Sequence, residues 1–275
     1  MIIDSHQHFW KYHPVRDAWI TNDMKIIQQD FLPEHLAPIF QTLNIEGCVA
    51  VQADQSEEET EFLLGLAKTN DFIKGVVGWV DLSSPNVSSR LEHYAQNPYF
   101  KGVRHILQAE KEDFLLDPKF QFGISQLSTL NLTYDILVYP THLKNTATLV
   151  SKFPENKFVL DHLAKPYIKS GEIEQWKKDI QRIAKNPNVY CKLSGYVTEA
   201  DLANWKYEDF VPYFDVIFEA FGAYRVLFGS DWPVCLLATE YEEVLNIVNR
   251  YINELNLDEK QAILGGNASR FYNLN

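Results

Sequence analysis

The 275-residue chain has a formal net charge of −12, and 46% of its residues are hydrophobic. That charge disfavours nucleic acid and anionic membrane surfaces as partners, and no apolar run is long enough to span a bilayer as a helix. Seventeen Phe, fourteen Tyr and six Trp exclude a disordered chain.

Taken in order, short apolar runs alternate with helical patterns. The strand-like runs are "MIIDSHQH", "EGCVAVQAD", "FIKGVVGWVD", "FKGVRHI", "LTYDILV", "KFVLDH", "NVYCKLSG" and "YRVLFGSD". They are rich in β-branched, leucine and aromatic residues, and most are too short for helices. After the first run, residues 11–30 show no clear periodicity and are expected to form a long loop over one end of the fold. In "SEEETEFLLGLAKTN", Ser56 and Glu59 have capping-box spacing, and Phe62, Leu63 and Leu66 make a stripe. Pro85 in "SSPNVSSRLEHYAQN" suits a first helical turn. "GEIEQWKKDIQRIAKN" and "TEYEEVLNIVNRYINEL" repeat apolar residues at helical spacing. Eight strand–helix units in this length predict an α/β fold, a (β/α)8 TIM barrel formed by one domain over residues 1–275. A doubly wound open sheet is the weaker alternative, because no Gly-x-Gly-x-x-Gly follows a strand. The N-terminus lacks the basic segment of a secretory signal, so a cytoplasmic location is expected. Cys48, Cys191 and Cys235 are far apart and read as reduced core thiols.

Barrel enzymes place their chemistry at the C-terminal strand ends. Strand one ends in His6 and His8, strand two in Gln52 and Asp54, strand three in Trp79 and Asp81, and strand four in Arg104 and His105. Strand six ends in Asp161 and His162, strand seven in Lys192 and Ser194, and strand eight in Ser230 and Asp231. Residues two apart on a strand share a face, so His6 and His8 can grip one ion or one carbonyl oxygen. Alone, His-x-His fits a satisfied core histidine beside an exposed one. With His162 and Asp231 aimed into the same mouth, three imidazoles and a carboxylate match a zinc-type ligand set with an open position. Arg104 and Lys192 suit either rim ion pairs or substrate. Trp79 and Trp232 suit packing or a sugar-stacking wall. Asp161, as the strand neighbour of His162, is expected to point away from it. His13, His35, His93 and His142 are given no role.

The stretches "DSHQHFW", "DFLPEHLAP", "VVGWVDL", "KGVRH", "FVLDHLAKP", "CKLSG", "FGSDWPVC" and "GGNASRFY" run through nearly the whole chain. In them the sequence resembles the amidohydrolase superfamily, in its amidohydrolase-2 branch of sugar-acid lactonases, with the L-fuconolactonase type as the comparison. The resemblance implies that His6, His8, His162 and Asp231 form the catalytic core. It also implies at most one divalent ion held by these four residues, with zinc favoured, or a metal-independent reaction as in some members. Strand four offers Arg104 and His105, and strand five Tyr139, where binuclear relatives carry a bridging lysine or glutamate and a histidine. A two-metal centre is therefore not expected.

A lactone is a cyclic ester, so opening it needs an activated water and a stabilised oxyanion. Asp231 is the expected general base, and the histidines or their ion polarise the carbonyl. Arg104, His105, Lys192, Trp79 and Gln52 are expected to contact a small-molecule lactone, with neither nucleic acid nor membrane as partner. Few cations end the strands, which favours a neutral polyhydroxy lactone. The alternatives are a metal-dependent decarboxylase, a hydrolase of another carboxylate lactone, or a non-catalytic barrel.

Overall fold

The computed structural model describes residues 1–274. Eight parallel strands lie in sequential order: β1 (Ile3–Gln7), β2 (Gly47–Val51), β3 (Ile73–Gly78), β4 (Phe100–His105), β5 (Thr133–Ile136), β6 (Lys157–Leu160), β7 (Val189–Leu193) and β8 (Val226–Phe228). Each is followed by a helix: α1 (Pro33–Leu43), α2 (Glu57–Thr69), α3 (Val87–Ala95), α4 (Pro118–Leu127), α5 (Leu143–Lys152), α6 (Glu174–Ile183), α7 (Tyr207–Phe221) and α8 (Tyr241–Tyr251). The expected (β/α)8 barrel is the fold.

Local chemistry accounts for the elements. β2 reads GCVAV and is buried throughout, as a strand covered on both faces must be. Ser56 caps α2 by accepting from the Glu59 amide at 3.2 Å. The Glu59 carboxylate turns instead to the amides of Ala53 and Asp54, at 2.5 and 3.1 Å. α6 buries Trp176, Ile180 and Ile183, the stripe its sequence shows. Pro85 lies outside the first turn of α3, which begins at Val87.

Two apolar layers result. Ile3, Val49, Val51, Val77, Val159 and Leu227 pack together inside the barrel, with Ala268, Phe271 and Tyr272 beneath them. Those last three lie on α10 (Asn267–Tyr272), which follows α9 (Leu257–Gln261) and one wide turn. Asn267 pins α10 to the start of β8, donating to the carbonyls of Ala223 and Val226 at 2.8 and 2.6 Å. The second layer lies between strands and helices and includes all three cysteines, which are buried and unpaired.

The barrel closes where β1 meets the chain leaving β8. Ser5 Oγ donates to the Phe228 carbonyl at 2.6 Å. Beyond the strand, the Asp231 amide donates to the His6 carbonyl at 2.8 Å, and the His8 amide to the Trp232 carbonyl at 2.7 Å. Asp4 staples the seam. Its buried carboxylate accepts from the His6 amide (3.0 Å), the Ser230 amide (2.9 Å), the Ser230 hydroxyl (2.6 Å) and the Tyr241 phenol (2.9 Å). Burial pushes the Asp4 carboxyl up to about 6, against the pull of those four donors.

Asp4→Ala strands those buried donors, each worth about 1–3 kcal/mol when unpaired. It should destabilise the fold by roughly 3 kcal/mol or more, read as the shift in urea midpoint. A loss below about 1 kcal/mol, the cost of one ordinary hydrogen bond, would remove Asp4 as the staple.

Candidate active site

The seam delivers three of the four candidate residues, His6, His8 and Asp231. β1 slips register between Asp4 and Gln7 against β2. Such a bulge re-aims the side chains beyond it. Ile3 packs in the barrel interior, whereas Gln7 turns outward to donate to Cys48 Sγ at 3.2 Å. His6 and His8 therefore share the inner face. Their Nε2 atoms lie 3.3 Å apart. Asp231, whose backbone is left-handed (φ 58°), brings Oδ1 to 3.4 Å from His8 Nε2 and 3.8 Å from His6 Nε2. His162 Nε2 is also 3.8 Å from Asp231 Oδ1.

His162 reaches the cluster through unusual backbone. His162, Leu163, Ala164 and Lys165 all have positive φ, between 49° and 57°. Four left-handed non-glycine residues in a row carry a real steric cost. The run breaks strand alternation, so Asp161 and His162 both turn into the barrel. The expectation that Asp161 points away from the site is thus corrected. Its Oδ1 lies 3.2 Å from His6 Nδ1 and 2.9 Å from Lys192 Nζ, and its Oδ2 accepts from Arg104 Nη1 at 3.1 Å.

Hydrogen bonds set the imidazoles. His8 Nδ1 lies 2.7 Å from the Val51 carbonyl. A carbonyl can only accept, so the proton sits on Nδ1 and the Nε2 lone pair faces the cluster. Arg104 Nη1 lies 3.2 Å from His6 Nε2. Both His6 nitrogens face donor-only cations, Nε2 facing Arg104 and Nδ1 facing Lys192 at 3.0 Å, while Asp161 Oδ1 also lies 3.2 Å from Nδ1. His162 Nδ1 meets Ser194 Oγ at 2.9 Å. Burial is the leading cause that lowers both His6 and His162, the latter to about 4, so both are neutral near pH 7. Asp231 moves the other way from its burial. Burial favours the neutral acid, but the surrounding His162, His8 and His6 hold the carboxyl well below the usual carboxylate range.

Other expected contacts fall elsewhere. Lys192 is fully buried below the cluster, 2.5 Å from Asp135 Oδ2 and 3.0 Å from His6 Nδ1. It faces no cavity. Gln52 is spent on Arg104, accepting from Nε (3.3 Å) and Nη2 (3.1 Å) and donating back to the Arg104 carbonyl (3.3 Å). His105 stacks on Phe114 with ring centroids 5.0 Å apart and meets Glu110 at 3.2 Å. Trp79 lies off the cavity, its backbone paired with Thr60. Only Arg104 of these five lines the opening.

That opening is a cavity of about 350 Å³. His8, His162 and Asp231 form its base, and Trp19, Gln55, Gln108, Lys165 and Thr198 line its walls. Trp19 comes from the loop over residues 11–30, which Trp10 and Phe31 pin at its base through paired backbone bonds of 2.9 Å. The expected loop over the barrel mouth is thus present. Trp19, Gln55, Gln108 and Thr198 are wall residues that sequence reasoning missed. Trp19 sits in a segment with no periodicity to place it, and Gln108 in a short turn beyond β4.

Three of the four donors, His6, His8 and Asp231, fit a metal ion. Zinc–nitrogen bonds of about 2.0–2.1 Å in a tetrahedron put ligand atoms about 3.3 Å apart. The His6–His8 and His8–Asp231 separations of 3.3 and 3.4 Å match, and the His6–Asp231 separation of 3.8 Å is wider. His6, Asp161 and His162 form a second possible group, but Arg104 and Lys192 already occupy Asp161.

The sequence model of the amidohydrolase family matches residues 3–274, and the chain belongs to that family. It is 37% identical to an L-fucono-1,5-lactonase of Burkholderia multivorans, over 99% of this chain and 96% of that protein. A zinc-bound crystal structure of an amidohydrolase from Burkholderia multivorans superposes with a TM-score of 0.96 at 36% identity, covering all of both chains. A 2,6-dihydroxybenzoate decarboxylase from Rhizobium shares the fold alone, with a TM-score of 0.70 at 13% identity.

Gly195 is required beside His162. Its φ is +60°, and a Cβ there would meet His162 Nδ1 at 2.4 Å. Gly171 has φ +72° with nothing within 4 Å. Gly171→Ala should therefore cost about 1–2 kcal/mol, the left-handed backbone penalty, and Gly195→Ala clearly more. Equal shifts in urea midpoint for the two variants would contradict the close approach.

Proposed function

We propose that the protein hydrolyses the ring ester of a sugar-acid lactone, with L-fucono-1,5-lactone as the first substrate to test. The full-length likeness to an L-fucono-1,5-lactonase carries this reading. The cavity supports it. Gln55 and Gln108 line its wall and give it side-chain amides suited to substrate hydroxyls. Trp19, 41% exposed, offers an aromatic face to a sugar ring.

In the proposed reaction His6, His8 and Asp231 would hold one zinc ion, with His162 beside Asp231 and His6 Nε2 giving up its contact with Arg104. Such an ion, when bound, supplies Lewis-acid polarisation of the ester carbonyl. Asp231 takes the proton from water as its oxygen bonds to the carbonyl carbon. The ring C–O bond then breaks, and the proton passes to the leaving alkoxide, giving a hydroxy acid. A carboxylate held this acidic is ionised at every working pH but is a weak proton sink. The strongly basic alkoxide completes the transfer. Arg104 does not bind the ring. Its five N–H groups are taken by Gln52, Asp161 and His6. It positions His6 from the side instead.

Asp231→Asn keeps the shape but accepts no proton. On L-fucono-1,5-lactone it should lower kcat by about 10²–10⁴, with circular dichroism unchanged. Retention of more than about a tenth of wild-type kcat, above that range, would assign the base elsewhere. Trp19→Ala should raise KM severalfold and leave kcat within about twofold, since it removes binding that ground and transition states share.

The pH profile follows from His162. Its folded pKa of about 4 lies below the ordinary value, so it gains a proton only as pH falls through about 4. His162 should therefore put no limb of its own into the kcat/KM profile between about pH 6 and 8. A limb through about pH 6.5 that His162→Gln shifts or removes would contradict this.

A further inference from the structure

Two cations line the cavity, Arg104 and Lys165. Arg104 has no free donor. Lys165 stands at the end of the left-handed run, φ 49°, which aims its side chain at the wall. There its ammonium is paired with Glu199 Oε1 and lies 5.8 Å from the centroid of the Tyr139 ring. Both side chains of the pair are mostly buried, 15% and 17% exposed. Glu199 closes a short turn after β7 (Val197–Glu199), next to Thr198 on the same wall.

We propose that Glu199 is a specificity-determining residue: by neutralising Lys165 it denies a carboxylate-bearing lactone its counter-ion and confines the enzyme to uncharged sugar lactones. This rests on the lactonase reading above. A substrate carboxylate at this wall leaves water and meets Lys165, whose charge Glu199 already offsets from behind. Burying a charge without a partner is strongly unfavourable. A hydroxyl fits the same wall, because it needs no counter-ion and can accept from Lys165.

Glu199→Gln removes the charge with little change in shape and leaves Lys165 free. The readout is the ratio of kcat/KM for a hexaric acid monolactone, which bears a free carboxylate, to that for a neutral aldonolactone. This ratio does not depend on how much protein is folded. It should rise about ten- to a hundredfold, the worth of one hydrogen bond to a charged group. Glu199→Asp, which keeps the charge, should stay near wild type, and adding Lys165→Met to Glu199→Gln should abolish the gain. In the wild type, the hexaric monolactone should bind at least about tenfold more weakly than the neutral lactone as a competitive inhibitor, for the same reason. A Glu199→Gln ratio within twofold of wild type, or a tighter-binding acid lactone, overturns the proposal while the lactonase reading stands. A wild type inactive on every lactone overturns both.

Discussion

The β1–β8 seam is the constraint on which the rest depends. An open sheet would leave His6 and Asp231 at opposite edges. Closure brings residues more than 220 positions apart into one hydrogen-bonded unit, with Asp4 between them. The bonds that close the barrel and the bonds that place the catalytic candidates are the same set: Asp231 N to His6 O, and His8 N to Trp232 O. The buried acid at residue 4 is tolerated because four donors converge on it. The site is therefore as rigid as the barrel itself, which suits a reaction that relies on preset geometry.

Directly under the histidines, above the apolar layer of Ile3, Val51 and Leu227, the barrel interior is charged. Asp135, Asp161, Lys192 and Arg104 interlock under His6, and the Tyr272 phenol reaches Asp135 from α10 at 2.7 Å. Such a network stabilises little by itself, since desolvation offsets most of the attraction. Its effect is orientation. Asp161, Lys192 and Arg104 together hold the His6 ring in place, and α10 closes the floor on the other side. The cations in the interior thus serve the histidines, and the cavity above is left with hydrogen-bonding groups and one aromatic face.

The fold was legible in the sequence because each strand is a short apolar run and each following segment shows helical spacing. The four core residues were legible because His-x-His, "LDH" and "GSD" all fall at strand ends. The expected substrate contacts fared unevenly because a strand-end position does not specify which way a side chain turns. Lys192 faces inward but downward, to Asp135, and Gln52 is consumed by Arg104. Asp161 was misjudged because simple alternation fails at His162, where the backbone becomes left-handed. Trp19 depended on how a loop without periodicity folds back, a question of tertiary packing.

The central claim is ester hydrolysis, and proton release tests it most directly. With L-fucono-1,5-lactone and a pH indicator, purified protein should release one proton for each ring opened, far above the rate without enzyme. No proton release from any sugar lactone, together with carbon dioxide release from an aromatic carboxylic acid, would contradict the account and make the barrel a decarboxylase.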